Sequence, residues 1–411
     1  AVDLLVVGRF GSTSGLSGVS TGSQVLNLVT FVVTQLAMGI TVLIARYLGE
    51  KKEEQIGSII GGGTVVFAVI SLVLFVIMVG FARPIAVLMQ APEEAVELTA
   101  AYIRICGAGI FFIVAYNVLS AIFRGLGDSN SPLLFVFVAC IVNVVGDLVL
   151  VAGLGMDAMG AALATVFAQA LSVVFAIVRL VKKGLPFTIT GYDFRWNPQC
   201  GKFLQIGLPL ALQECLTQGS FLALCAFVNR LGLEASSGYG VACKIVNFAM
   251  LIPSALMQST SSFVSQNVGA GEQKRAKKTM FTGIGIGLLV GCFAFSLVFF
   301  RGDLLAGIFS ADAAVVQRGY EYLKGFAPET LLTAVLFSMM GYFNGNGKTV
   351  WVMLQGLIQT LLVRLPFAYY MSIQPDASLT NIGLAAPIST AVGIVLNVAF
   401  FLYLEHAAKR S

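Results

Sequence analysis

Apolar runs long enough to cross a bilayer recur along this chain, each closed by a short polar break. A membrane-spanning helix needs about 20 mostly apolar residues. Runs of that kind predict helices near 23–47, 56–82, 98–123, 131–152, 157–181, 204–230, 239–266, 279–300, 318–343, 349–372 and 381–404. The opening AVDLLVVGRFG is apolar with no charged flank before it. It reads as the second half of one more span rather than as a signal peptide. The expectation is an all-α integral membrane protein of twelve transmembrane helices, the first of them truncated.

The pattern also repeats. SGVSTGSQVLN (17–27) aligns with SGYGVACKIVN (237–247) at a shift of 220 residues. At the same shift Thr34 meets Ser254 and Gly49 meets Gly269, while Gly125 and Gly127 meet Gly345 and Gly347. Six helices per repeat is an even number, so both halves enter the membrane from the same side. Two six-helix bundles related by a parallel internal repeat follow. The expected domains are an N-terminal bundle at 1–181, a cytoplasmic linker at 182–202 and a C-terminal bundle at 203–411.

Composition supports the membrane reading. The chain is 57% hydrophobic and 11% charged, against about 25% charged in soluble domains, and its mean hydropathy is +0.89. The net charge of +5 gains meaning from its distribution. Sixteen basic residues, from Arg46, Lys51 and Lys52 through the 182–202 segment to Lys409 and Arg410, fall on one set of loops and ends. Only Arg9, Arg83, Arg230, Arg301 and Arg318 fall on the other set. That asymmetry places the first set, with the C-terminus, in the cytoplasm. Membrane lipids, not nucleic acid, are the partners such charge implies. The seven cysteines form no CxxC pair and read as small core residues. The single histidine, His406, lies in the tail, and no phosphate-binding, zinc-protease or nucleophile-elbow motif is present. Nothing therefore suggests an enzyme or an organic cofactor. Gly283, Gly287 and Gly291 form a small-residue face for close helix packing.

The candidate chemistry lies around residue 150. Asn143 and Asp147, at i and i+4 in NVVGD, share one helix face. Asp147 and Thr165 are each nine residues from Met156, the centre of the turn between two apolar runs. In a helical hairpin they return to one depth, about 13 Å from the turn. An acid there is a functional candidate, because charge is costly inside a membrane. Asp3, six residues before Arg9, is a second buried-acid candidate. Together Asp3, Asn143, Asp147 and Thr165 offer oxygen ligands for a proton or a hard cation such as Na⁺. Two acids in a low-dielectric site do not both stay ionised cheaply, so the pair should titrate as one unit. At the repeat shift Val363 and Phe367 stand opposite Asn143 and Asp147, and the second half is expected to lack buried carboxylates. Glu214, with Gln213 and Gln218, follows Pro209 inside a span and reads as cavity-facing; Gln35 and Gln258 are similar candidates.

VDLLVVGRFG, NVVGD followed by Thr165 in GAALAT, and the two GxG loops resemble the multidrug and toxic compound extrusion family, over essentially the whole chain. The resemblance implies two six-helix bundles around a central cleft that rock to alternate access. It further implies expulsion of organic cations or amphipathic compounds in exchange for Na⁺ or H⁺, by a monomer in a bacterial or archaeal cytoplasmic membrane. The family's ion site falls on Asp3, Asn143, Asp147, the carbonyl of Ala161, and Thr165. Some members also carry acids in the seventh and tenth helices; 331–343 has none. Two other readings stay open. One is a lipid-linked saccharide flippase of the same superfamily, which a strongly basic cavity would favour. The other is an intramembrane transferase, which would call for clustered Asp or His motifs.

Overall fold

A computed structural model describes residues 2–183, 190–310 and 312–408. The linker residues 184–189 and the tail residues Lys409 and Arg410 lie outside the described residues. Among the described residues the regular structure is helical. In the first half these are α1 (Val2–Phe10), α2 (Thr13–Gly49), α3 (Glu54–Gly80), α4 (Ala82–Leu88), α5 (Val96–Ala108), α6 (Ile110–Gly125), α7 (Asn130–Asp147) and α8 (Asp157–Lys183). In the second they are α9 (Pro198–Asn229), α10 (Leu233–Gly269), α11 (Gln273–Gly307), α12 (Ala313–Phe326), α13 (Glu329–Gly345), α14 (Thr349–Leu357), α15 (Leu365–Ser372), α16 (Leu379–Gly383) and α17 (Ala385–Ala408). Among the described residues nine stretches of helix are long and apolar enough to span, and α5–α6 and α12–α13, bent by 53° and 47°, raise the number to eleven. These are the eleven expected, and the short helix α1 precedes them. The chain has the twelve-helix membrane fold.

The 220-residue shift holds in the structure. Helices α2 and α10 are both 37 residues long and start 220 apart. The break at Phe81 between α3 and α4 has its counterpart in the non-helical Arg301 inside α11. Contacts repeat as well. A side chain at Gly18 would meet Leu98 and Thr99, and one at Gly238 would meet Arg318 and Gly319. Gly125 abuts Thr41 and Ile44, as Gly345 abuts Ser261 and Val264.

The structure differs from the expectation at the start of α2. TSGLSGVSTGS looks like a loop by propensity, yet it is helix from Thr13, capped by the Ser12 hydroxyl. Gly18 and Gly22 let α5 approach, with the Tyr102 ring lying where a Gly22 side chain would be. Small residues are needed for that contact, and packing overrides propensity. The face formed by Gly283, Gly287 and Gly291 packs as expected, against Ser338, Ala334 and Thr330 of α13. The cysteines do not. Cys106 and Cys200 are buried, but Cys140, Cys215 and Cys292 are exposed on outward helix faces. An apolar run supplies both faces of a span, and only one of them packs inward.

Two compact units emerge, residues 1–211 and 212–411. The division falls inside α9. In the first unit Phe203 stacks on Phe67, and Gly39 and Gly207 let α2 and the start of α9 touch backbone to backbone. Lys202 donates to the Tyr47 hydroxyl at 2.8 Å, and that hydroxyl donates to Gln199 at 2.9 Å. In the second unit the Gln213 side chain packs on Gly356.

Candidate functional site

The first unit brings Asp3, Asn143, Asp147 and Thr165 together. Thr165 on α8 is central: its hydroxyl donates to an Asp3 carboxylate oxygen at 3.2 Å and accepts from the Asn143 amide at 3.3 Å. Asp147 is fully buried; among the described residues no donor reaches either of its carboxylate oxygens, and the Asp3 carboxyl lies beside it, close enough to share a proton. Ala161, one turn before Thr165, is fully buried. A side chain at Gly146 would touch Ala164, so α7 and α8 are closely apposed at this depth. The helix widens to a π-helical segment, Leu148–Gly153, immediately after Asp147. Such segments are frequent at functional sites.

Tyr102 was not singled out from the sequence and belongs here. It is 1% exposed, and its hydroxyl reaches Thr165 and Cys106 within range of Asp3. A tyrosine amid apolar residues gives little sequence signal, although buried hydroxyls usually seek polar partners.

The cavity candidates are placed as follows. Gln35 is half-buried on α2 of the first unit; Gln213, Glu214, Gln218 and Gln258 are half-buried in the second. Gln218 donates to Glu214 at 2.7 Å. An apolar cavity of 230 Å³ lies between α10 and α11, near Phe248, Pro253, Gly287 and Thr330.

The expectation that the second half lacks buried carboxylates is corrected. Glu329, two residues before the stretch 331–343, is 4% exposed. It accepts from the Thr390 hydroxyl at 2.8 Å. It stands just past the bend between α12 and α13, where a helix start looks like an exposed place for an acid. Pro328–Glu329 within a long apolar run was the signal available.

A family model named MatE matches residues 1–149 and 209–370. The chain belongs to the MatE family. The probable multidrug resistance protein YoeA of Bacillus subtilis (strain 168) is 23% identical to this MatE chain over 98% of its length and 89% of the relative's. The multidrug export protein MepA of Staphylococcus aureus (strain NCTC 8325 / PS 47) is 24% identical over 87% of this chain and 80% of that protein. A structure described as the outward-facing conformation of a multidrug resistance MATE family transporter of the MOP superfamily superposes with a TM-score of 0.94. That match covers 100% of this chain and 92% of that one, at 21% identity. The MatE chain is thus a multi-span membrane transporter and not an enzyme.

Proposed function

We propose that this transporter is a secondary active antiporter that expels organic cations or related amphipathic compounds in exchange for H⁺ or Na⁺ by alternating access. One observation carries the reading. Asp147 is fully buried, and among the described residues no donor reaches its carboxylate; the acid beside it, Asp3, is already bonded to Thr165. A buried, unpaired carboxylate is costly, so a proton or a monovalent cation would stabilise it. Asn143, the Ala161 carbonyl and Thr165 would complete its surroundings. No organic cofactor is needed.

Exchange follows from differential affinity. The site joins α1, α7 and α8, and occupying it removes the repulsion between Asp3 and Asp147 and changes how those helices prefer to pack. A ligand with unequal affinity for two states shifts their populations. In this reading Gln35, Gln213, Glu214, Gln218 and Gln258 contact the exported compound. Four amides and one acid suit a cationic or neutral amphiphile better than a lipid-linked saccharide phosphate, which would call for basic residues. The relatives' names, multidrug resistance and multidrug export, agree with that choice. We place the protein in a cytoplasmic membrane as a monomer surrounded by lipid, with its C-terminus in the cytoplasm.

The test is substrate efflux from proteoliposomes under Na⁺ and H⁺ gradients imposed separately. One gradient should drive export, and Asp147→Asn should abolish it. Full-rate export against a gradient by Asp147→Asn protein would sink the assignment.

A further inference from the structure

The apolar cavity between α10 and α11 is a groove with exposed edges. Phe248 and Ile252 on α10, with Phe293 and Leu297 on α11, form those edges. Its floor is Ile245 and Val298, both buried. Thr330 of α13, the polar residue of the lining, turns its hydroxyl to the Ala327 carbonyl at 2.8 Å. The wall is therefore apolar throughout, and at membrane depth such a wall meets hydrocarbon.

Small residues and one proline make the depression. Gly287, Gly291 and Ala294 recur along α11, and Ala249 and Pro253 stand on α10. From Ile245 to Leu256 the groove runs eleven residues, about 17 Å at helical rise. That is close to one leaflet's share of a hydrocarbon core about 30 Å thick.

A cation marks one end. Lys244 precedes Ile245 and is exposed. Its ammonium lies over the Phe309 ring, 5.6 Å from the centre, and Phe309 stands four residues beyond the lining residue Leu305. The Lys244 side chain thus reaches from α10 to the far end of α11, across the mouth of the groove. No carboxylate pairs with it among the described residues. Arg301, exposed at the break in α11, falls in sequence between the lining residues Val298 and Leu305. Even with the exposed Asp303 counted, two basic residues and one acid leave this end positive. Positive charge at the end of an apolar groove complements an anionic headgroup above an acyl chain.

The repeat shows that the fold does not require these features. At the 220-residue shift Gly287, Gly291 and Ala294 become Phe67, Ser71 and Leu74, and Pro253 becomes Val33. Phe67 and Ser71 are buried there, and Phe67 stacks on Phe203. The charges go with the space: Gln24 and Phe81 stand where the second unit has Lys244 and Arg301. Small lining residues and cations occur together in one unit and are replaced together in the other.

We propose that this groove binds one acyl chain of an anionic phospholipid, whose phosphate is held by Lys244 with Arg301 beside it. The chain lies along α10 and α11 from Ile245 toward Leu256. Its leaflet is the one nearest the turn between α9 and α10, the outer one in the orientation proposed above. A lipid seated here fills the space that the first unit fills with its own side chains, and so braces α11 against α10 near the break at Arg301. An exported organic cation would meet Lys244 and Arg301 with like charge. The site serves the protein whichever ion drives transport.

The full-length protein is reconstituted in vesicles containing phosphatidylglycerol with a photoreactive diazirine at the end of one acyl chain. Labelled peptides are then mapped by mass spectrometry, and zwitterionic phosphatidylcholine carrying the same chain is the comparison. Phosphatidylglycerol should label α10 and α11 around Leu256 and Gly287 several-fold more than phosphatidylcholine does. Lys244→Gln combined with Arg301→Gln should bring the two lipids to equal yield. Ala294→Leu installs the residue that the first unit uses and should lower labelling by both. Equal labelling of wild type by the two lipids, or an unchanged preference in the double variant, would overturn the proposal. Unchanged labelling of Ala294→Leu would place the chain elsewhere and overturn it too. So would displacement of the label by ethidium, which would make the groove a place for exported cations. Cross-links between two protein copies through these residues would make it a protein contact instead. Circular dichroism shows whether each variant is folded, and Lys244→Gln alone, at an exposed position, decides if the double variant is not.

Discussion

Lys51 and Gly271 hold the same left-handed backbone position, 220 residues apart, with φ of 58° and 76°. Each follows a 37-residue helix, and no neighbour would obstruct a side chain at Gly271. Only backbone strain distinguishes the two, about 1 kcal/mol for a residue with a Cβ. Gly271→Ala should therefore destabilise the protein by about 1 kcal/mol. Lys51→Gly should change stability by less, because the strain it releases is offset by the greater freedom of glycine in the unfolded chain. Chemical denaturation in detergent measures both. A larger gain from Lys51→Gly than the loss from Gly271→Ala would contradict this account.

Coupling should depend unequally on the members of the first site. Asp147→Asn should remove gradient-driven export while leaving the folded protein abundant, since it removes a buried charge without changing the shape. Thr165→Ala should impair transport less, as one hydroxyl among several groups is worth about 1 kcal/mol, or roughly fivefold in affinity. Efflux rates normalised to protein amount decide. Equal losses for the two variants would contradict this ranking of the acid above the hydroxyl.

Glu214→Gln should weaken export of cationic compounds more than of neutral ones. Its carboxylate accepts a hydrogen bond from Gln218, which glutamine can still accept, so packing is preserved and only charge is lost. Equal loss for both classes, together with reduced protein abundance, would assign it a packing role.

The contact between Gly39 and the Phe203 carbonyl leaves no room for a methyl group. Overpacking of this kind costs about 1–3 kcal/mol. Gly39→Ala should lower thermal stability accordingly, measured by scanning fluorimetry. Gly219→Ala, at a position with open space around it, should not.

Outside the membrane, Asp193 ties the end of the linker to α3. It accepts from the Thr190 amide at 2.8 Å and from the Ser58 hydroxyl at 2.7 Å. Those bonds, the backbone one first, hold its carboxyl below the usual carboxylate range. A carboxyl held low stabilises the dock at every pH above its unfolded value, about 3.9 for Asp, and the stabilisation fades as pH falls through the folded value. Hydrogen exchange around 190–197 should be unchanged from neutral pH to about pH 5 and rise only in stronger acid. Asp193→Asn should show the faster exchange at neutral pH.

Much of this was legible in the sequence because hydrophobic length and spacing dictate it. Eleven spans, the 220-residue repeat and the shared depth of Asp147 and Thr165 follow from counting residues along helices. What escaped depends on neighbours far away in sequence. The start of α2 reads as a loop until Tyr102 is seen filling the space beside Gly22. Glu329 reads as a surface acid until Thr390, 61 residues on, is seen bonded to it. Tyr102 itself carries no motif, and only its contact with Thr165 reveals it.

Because α9 begins in one compact unit and ends in the other, the halves of this protein are not separable at the linker that joins them in sequence. A gene divided near residue 202 would send Phe203 with the wrong fragment and leave Phe67 and Gly39 facing a vacated groove. A cut after residue 211 would open a helix in mid-span, exposing backbone groups to lipid. Fragment complementation, circular permutation and tag insertion all face the same choice here, and the loops after Gly49 and Gly269 interrupt neither unit's shared helix.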